Sequence, residues 1–399
     1  MAQNDLDPTT RPIPFGRPII GDPEIDAVVQ VLKGHMLVHG ASTKAFEAQM
    51  AERVGVDHAI AVSSCTAGLH LVLLSSGVGP GDEVIVPAMT HVATGHAVEY
   101  CGARPVFVDV EPDTGNIDPE QVARAVTPRT KAIMVVHYLG LPCQMEALQA
   151  IADQAGAFIV EDCALAIDAT YGTRKAGALA KAGCFSFYPV KHMTSIEGGM
   201  VTTNDPELAK AVTQRRAFGY DKPVGKRGKP GVYDVNVLGY NYRMSEVEAA
   251  VGLVQLGRLD EHQAIRARNY AQLKGVLSTI PEITVFERIK GPSASSHYCI
   301  NAILDRDPDR RGGLDRDDLV ARLKGKGIGS SLHYPRPVPL MSYYRERYGY
   351  QPGDFPVSEW ISAQTISLPV APHLAEGDPE RIGHALASAI REAHAEGGQ

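Results

Sequence analysis

Between residues 57 and 204 the chain alternates short apolar runs with stretches of helical periodicity. Seven runs read as strands: HAIAVSS, DEVIVPA, RPVFVDV, KAIMVVHY, AFIVED, CFSFYP and GMVTTN. Turn signals such as GPGD, EPDTGN and TPRT separate several of them. Strands that alternate with helices predict an α/β fold, with a mostly parallel sheet covered by helices. From Arg243 a long helical region follows. It is started by a capping box, Ser245 with Glu248 three residues on, and carries Val247, Val251 and Val254 on one face.

After Pro281 the pattern shifts to shorter strands such as HYCINAILD and one helix around DDLVARLKGKG. A terminal amphipathic helix starts at Asp378-Pro379 and presents Ile382, Leu386 and Ile390. The expected organisation is a large α/β domain over residues 12–260 and a smaller α+β domain over 261–399. Residues 220–241, rich in Gly, Pro and Lys, read as an ordered excursion or a mobile loop.

Composition excludes several function classes. The net charge of -7 comes from 39 basic and 46 acidic residues mixed along the chain, so no basic stripe proposes a nucleic-acid partner. The six cysteines are far apart, with no CxxC pair and no zinc-like His spacing, which suggests a reduced, cytoplasmic setting and no metal ligands. The N-terminus is polar without an apolar core, and no run approaches the ~20 apolar residues of a membrane helix. The expectation is a soluble, unexported protein.

Three places carry chemistry. AVSSCTAGLHLVLL puts Ser64, Thr66 and Ala67 at the start of a helix directly after a strand, where free N–H groups and the helix dipole suit a phosphate; a plain helix cap is the alternative. AFIVEDCALA ends a strand on Glu161 and Asp162, at the sheet edge where ligands of α/β folds bind, although a loop-capping carboxylate would look the same. In FSFYPVKHMTSIEGGMV, 29 residues beyond Asp162, Lys191 stands at a predicted strand end among aromatic residues. Desolvation there lowers a lysine's pKa and frees the amine to attack a carbonyl; the alternative is a snorkelling side chain. An acid, a lysine and a phosphate-binding helix end are what pyridoxal 5'-phosphate (PLP) requires.

The chain resembles the DegT/DnrJ/StrS-type PLP-dependent sugar aminotransferases, a fold-type I family, over nearly its whole length. The resemblance is carried by IPFGRPIIG, SSCTAGLHL, GDEVIVPAMTHVAT, GARPVFVDVEPDTGNID, VHYLGLP, VEDCALAIDATY, FSFYPVKHMTSIEGG, GYNYRMSEVEAA, HYPRPVPL and GDFPVSEWISAQTISLPVAPHL. It implies that Lys191 forms the internal aldimine and that Asp162 bonds the pyridine nitrogen. Ser64 and Ser186, with the backbone at Thr66 and Ala67, would hold the phosphate. His91 would lie against the cofactor face, unless it is an ordinary core or surface histidine. Asn241 would reach the phosphate of the neighbouring subunit, implying an obligate homodimer, or else serve a local turn. The adjoining Lys222, Lys226, Arg227 and Lys229 could meet a substrate pyrophosphate or form a solvated loop.

Two positions depart from the family pattern. Leu165 stands where a polar group usually faces the cofactor's phenolic oxygen, and Cys65 stands where the usual residue is glycine. The function implied is transfer of an amino group, with glutamate as the expected donor, to a keto group of a small-molecule substrate, a nucleotide-linked sugar. A carbocyclic or other small ketone remains open as acceptor. So do PLP-dependent sugar dehydration, in which histidine replaces the lysine and which makes His192 relevant, and a non-catalytic PLP-binding regulatory role.

Overall fold

The structure is a computed structural model that describes residues 11–222, 229, 232–286 and 293–397; Lys226 and Arg227 lie outside them. In chain order its strands begin with β1 (His58–Val62), β2 (Glu83–Pro87), β3 (Arg104–Val108), β4 (Thr130–Val136) and β5 (Phe158–Asp162). There follow β6 (Thr170–Tyr171), β7 (Arg174–Lys175), β8 (Ala182–Ser186) and β9 (Gly199–Thr203). The last are β10 (Ile283–Thr284), β11 (Ser293–Ala294), β12 (Ile300–Leu304) and β13 (Thr365–Leu368).

All seven expected strands form one sheet in the order β1-β9-β8-β5-β4-β2-β3. Only β9 runs against the rest, pairing antiparallel with both β1 and β8. Successive side chains of β2 explain the two covered faces. Val84 and Val86 join a cluster with Leu69 and Val72, whereas Ile85 between them joins Ile117, Ile133 and Leu148. Truncating a fully buried residue such as Leu69 to alanine would cost about 2–5 kcal/mol.

The capping box at Ser245 is present, and it opens the helix Glu246–Gly257. Its buried face differs from the expected valine stripe: Ala249, Ala250, Val251, Gly252 and Leu256 are buried, while Val247 and Val254 are half-buried. The reason lies in its neighbours. Gly252 abuts Phe46 so closely that a Cβ there would sit 2.7 Å from the ring. The Glu246 carboxylate, turned inward, accepts the backbone N–H groups of Gly40 and Ser42 at 2.8 Å each, anchoring the start of the helix Ala41–Val54.

A second core surrounds the sheet β10-β12-β13 and includes Leu273, Leu304, Ile366, Ile382, Leu386 and Ile390. The last three residues of the expected terminal stripe are thus buried on the helix Asp378–Gly397, apart from 3% of Ile390. Ile13 also belongs to this core, tied by Ile13 N–H to Gly327 O at 2.8 Å. The helix Leu259–Leu277 runs unbroken past residue 260 into it. Among the described residues no helix is long and apolar enough to cross a membrane.

Candidate active site

Asp162 and Glu161 end β5 on opposite faces of the sheet, as strand geometry demands. Glu161 is fully buried and saturated. It accepts from His137 Nε2 at 3.0 Å and from the backbone N–H groups of Gly177, Leu179 and Ala180. Because Cys143 N–H donates to His137 Nδ1, the proton sits on Nε2 and the pair is a structural brace.

Asp162 faces the other way. Thr94 Oγ1 lies 2.9 Å from its Oδ2, and Ala164 N–H donates to Oδ1 at 3.0 Å. Cys65 Sγ stands 3.8 Å from Oδ1, so the residue in the usual glycine's place touches the acid. Burial pushes the Cys65 thiol up and keeps it neutral.

Lys191 lies beyond β8 rather than at its end. The strand stops at Ser186, and Lys191 closes a turn with its N–H on Tyr188 O at 3.0 Å. Its Nζ sits 5.2 Å from the centroid of the Tyr298 ring. Burial drives the Lys191 amine below its ordinary value of 10.5, and the opposing attraction comes first from Asp162. Arg266, 2% exposed, fixes the surroundings: Nη1 donates to Tyr298 O at 2.9 Å and Nη2 reaches Lys191 O at 3.4 Å. His192 is buried and donates from Nε2 to Ser296 O at 3.0 Å, so it is turned to the backbone of the C-terminal part.

Ser64 is the N-cap of the helix Cys65–Ser75, accepting Ala67 N–H at 3.1 Å. The Ala67 donor is therefore committed to the cap, whereas Cys65 and Thr66, at the first two helical positions, have no acceptor inside the helix. Ser186 ends β8 and accepts from Tyr188 N–H at 3.4 Å. His91 caps the helix Val92–Tyr100, with Ala93 N–H on its Nδ1 at 3.2 Å. Desolvation holds His91 below its usual value, with Asp162 raising it and Lys191 lowering it, which places the ring in the field of both.

Asn241 is exposed and apart: its Oδ1 accepts from Arg243 Nε at 2.9 Å, and among the described residues it has no hydrogen bond to the Lys191 group. Leu165 is 2% exposed and packs with Tyr298 and Cys299. The donor set fits PLP: a buried carboxylate for the pyridine nitrogen, an amine for the aldehyde, and two hydroxyls with free helix-end N–H groups for the phosphate. Gly199 makes the cradle compact, since a Cβ there would lie 2.5 Å from Cys65 N.

Residues 18–387 match the DegT/DnrJ/EryC1/StrS aminotransferase family. The chain belongs to that family. A spore coat polysaccharide biosynthesis protein, SpsC of Bacillus subtilis (strain 168), is 36% identical over 384 residues, covering 95% of this chain and 97% of SpsC. A putative sugar aminotransferase, Spr1654 of Streptococcus pneumoniae, solved in its PMP form, superposes with TM-score 0.88 at 27% identity, covering 95% of this chain and 99% of that one. DesI, solved in the presence of its TDP-sugar product, gives TM-score 0.86 at 32% identity over 97% of this chain and 95% of its own. This member of the DegT/DnrJ/EryC1/StrS family is a PLP-dependent aminotransferase of fold-type I.

Sequence reasoning passed over Thr94, Tyr298 and Arg266. Thr94 lay inside THVAT, which drew notice only for His91, and Tyr298 lay in HYCINAILD, which read only as a strand. Both bring their side chains to the site across long sequence separations.

Proposed function

We propose that the chain moves the amino group of L-glutamate to a keto group of a nucleotide-linked sugar, as a homodimer with shared active sites. The carrying observation is Lys191, its amine pushed down by burial, facing Asp162 at the carboxyl end of the sheet. The TDP-sugar product named for DesI and the polysaccharide biosynthesis named for SpsC support a nucleotide-sugar acceptor.

When bound, PLP supplies the electron sink for bond breaking at the donor's Cα. Asp162, buried and held by Thr94 and Ala164, would bond the pyridine nitrogen. Lys191 Nζ takes the Cα proton, a role suited to a lowered amine pKa. Ser64, Ser186 and the backbone N–H groups of Cys65 and Thr66 would hold the phosphate, and Ala67 N–H would join them only by leaving Ser64 Oγ. The His91 ring would lie against the cofactor face.

Sharing of sites is supported by an exposed apolar face, Ile25, Val29, Leu32, Met36 and Leu37, and by exposed Val235 and Leu238 close in sequence to Asn241. Asn241 then serves the partner's phosphate. A division at residues 260 and 261 and a cytoplasmic setting belong to the same reading, supported by the separate core around β10-β12-β13, drawn mostly from residues after 272, and by six free, buried cysteines.

The test is a panel of nucleotide-linked keto-sugars and carbocyclic ketones, each with glutamate, read by 2-oxoglutarate release and product mass. Amination of a nucleotide-linked sugar is expected. Turnover confined to a carbocyclic ketone would overturn the sugar assignment.

A further inference from the structure

Leu165 leaves a chemical gap. Where the cofactor's phenolic oxygen is expected, this chain offers a buried aliphatic side chain. What packs on Leu165 is Tyr298, and the same ring lies 5.2 Å from Lys191 Nζ. On PLP the phenolic oxygen is borne by the ring carbon adjacent to the one whose substituent joins the lysine. A side chain that packs on Leu165 and lies over Lys191 Nζ is therefore on the side where that oxygen would stand.

Tyr298 is 5% exposed, and no hydrogen bond ties its hydroxyl to another of the described residues, which leaves that group free to meet a ligand. Burial pushes the Tyr298 hydroxyl far up, so the group stays protonated and is available as a donor. Its position is rigid: Arg266 holds Tyr298 O, and Tyr298 N–H donates to Leu139 O at 3.2 Å.

We infer that the Tyr298 hydroxyl donates a hydrogen bond to the phenolic oxygen of bound PLP, replacing the polar side chain that Leu165 lacks. The inference rests on the proposed roles of Lys191 and Asp162, and adds a specific tuning residue to them. A donor on the phenolic oxygen competes with the lysine-derived imine proton for the same charge, so it lowers the pH at which that proton leaves.

The test is a spectral pH titration of the PLP-loaded protein, wild type against Tyr298→Phe. The substitution removes one oxygen and keeps the ring under Lys191 and against Leu165. The midpoint should rise by about half to one pH unit, the worth of one hydrogen bond. Leu165→Gln added to Tyr298→Phe should bring the midpoint back down by restoring a donor from the other side. Superimposable curves for wild type and Tyr298→Phe overturn the inference, as does a rise that Leu165→Gln leaves untouched. A protein that takes up no PLP overturns the cofactor roles as well. A shifted midpoint without amination of any keto-sugar leaves the tyrosine's role standing and removes the substrate.

Discussion

Thr94 Oγ1 lies 2.9 Å from Asp162 Oδ2, and a second hydroxyl, Thr90 Oγ1, lies 2.7 Å behind it. A carboxylate only accepts, so Thr94 must donate to Asp162 and Thr90 must donate to Thr94. Both threonines are essentially unexposed, so the relay has no competing water. A hydrogen bond to a charged group is worth about 1.5–3 kcal/mol. Thr94→Val should weaken PLP binding about tenfold in an absorbance titration of the cofactor-free protein, and Thr94→Ser should recover most of it. Equal affinities for the valine variant and wild type would remove Thr94 from the site.

Cofactor-free protein should show the cost of burying Lys191. Its folded pKa lies below 10.5, so between that lowered value and 10.5 the unfolded chain binds more protons than the folded one. Stability therefore rises with pH across this window, and the penalty is fully present below it. Denaturant unfolding of Lys191→Met should show a flatter rise toward pH 10 than wild type. Parallel profiles would place the amine in water.

His70 predicts an acid-side effect away from Lys191. It is 2% exposed among Tyr100, Tyr240 and Tyr242, with Nε2 unpartnered among the described residues, and burial pushes it from 6.5 to about 4. The neutral ring's contribution is complete above pH 6.5 and is lost as pH falls toward 4. At 1.36 kcal/mol per unit this amounts to on the order of 3 kcal/mol. His70→Leu should lose less stability over that interval, as measured by urea unfolding; an unchanged slope would contradict the assignment.

Shared active sites predict complementation. Lys191→Ala and Asn241→Ala homodimers should each be inactive or severely impaired, and a heterodimer of the two should hold one intact site. Mixing them under conditions of subunit exchange should restore up to about a quarter of wild-type activity, the statistical share of intact sites. No recovery despite demonstrated exchange counts against Asn241 acting across the interface.

Much of the fold was legible because its signals are local. All seven strands, the capping box at Ser245 and the terminal stripe of Ile382, Leu386 and Ile390 follow from periodicity within a dozen residues. FSFYP misled at its end: Phe187 N–H still reaches Gly198 O, but Pro189 cannot donate to a ladder, and the chain turns at Tyr188, whose O accepts Lys191 N–H. The valine stripe misled because Gly252 and Glu246 respond to Phe46 and to the start of another helix, contacts that one helix's sequence cannot show.

The same contrast holds at the site. The two acids of β5 were visible, but only the Gly177, Leu179 and Ala180 amides show that Glu161 is consumed as a brace while Asp162 remains. Thr94 meets Asp162 from 68 residues away, and the Tyr298 ring meets Lys191 from the C-terminal part of the chain. Such pairs carry no period. Leu165 was conspicuous as a departure, yet only its packing on Tyr298 suggests what replaces the missing polar group.

The proposed chemistry stands on Lys191 carrying the cofactor opposite Asp162. Borohydride reduction of the PLP-loaded protein, followed by proteolysis and mass mapping, tests it directly. The pyridoxyl group should be found on the peptide containing Lys191, and Lys191→Ala should yield none while still binding PLP non-covalently. Stoichiometric label on any other lysine would remove Lys191 from that role.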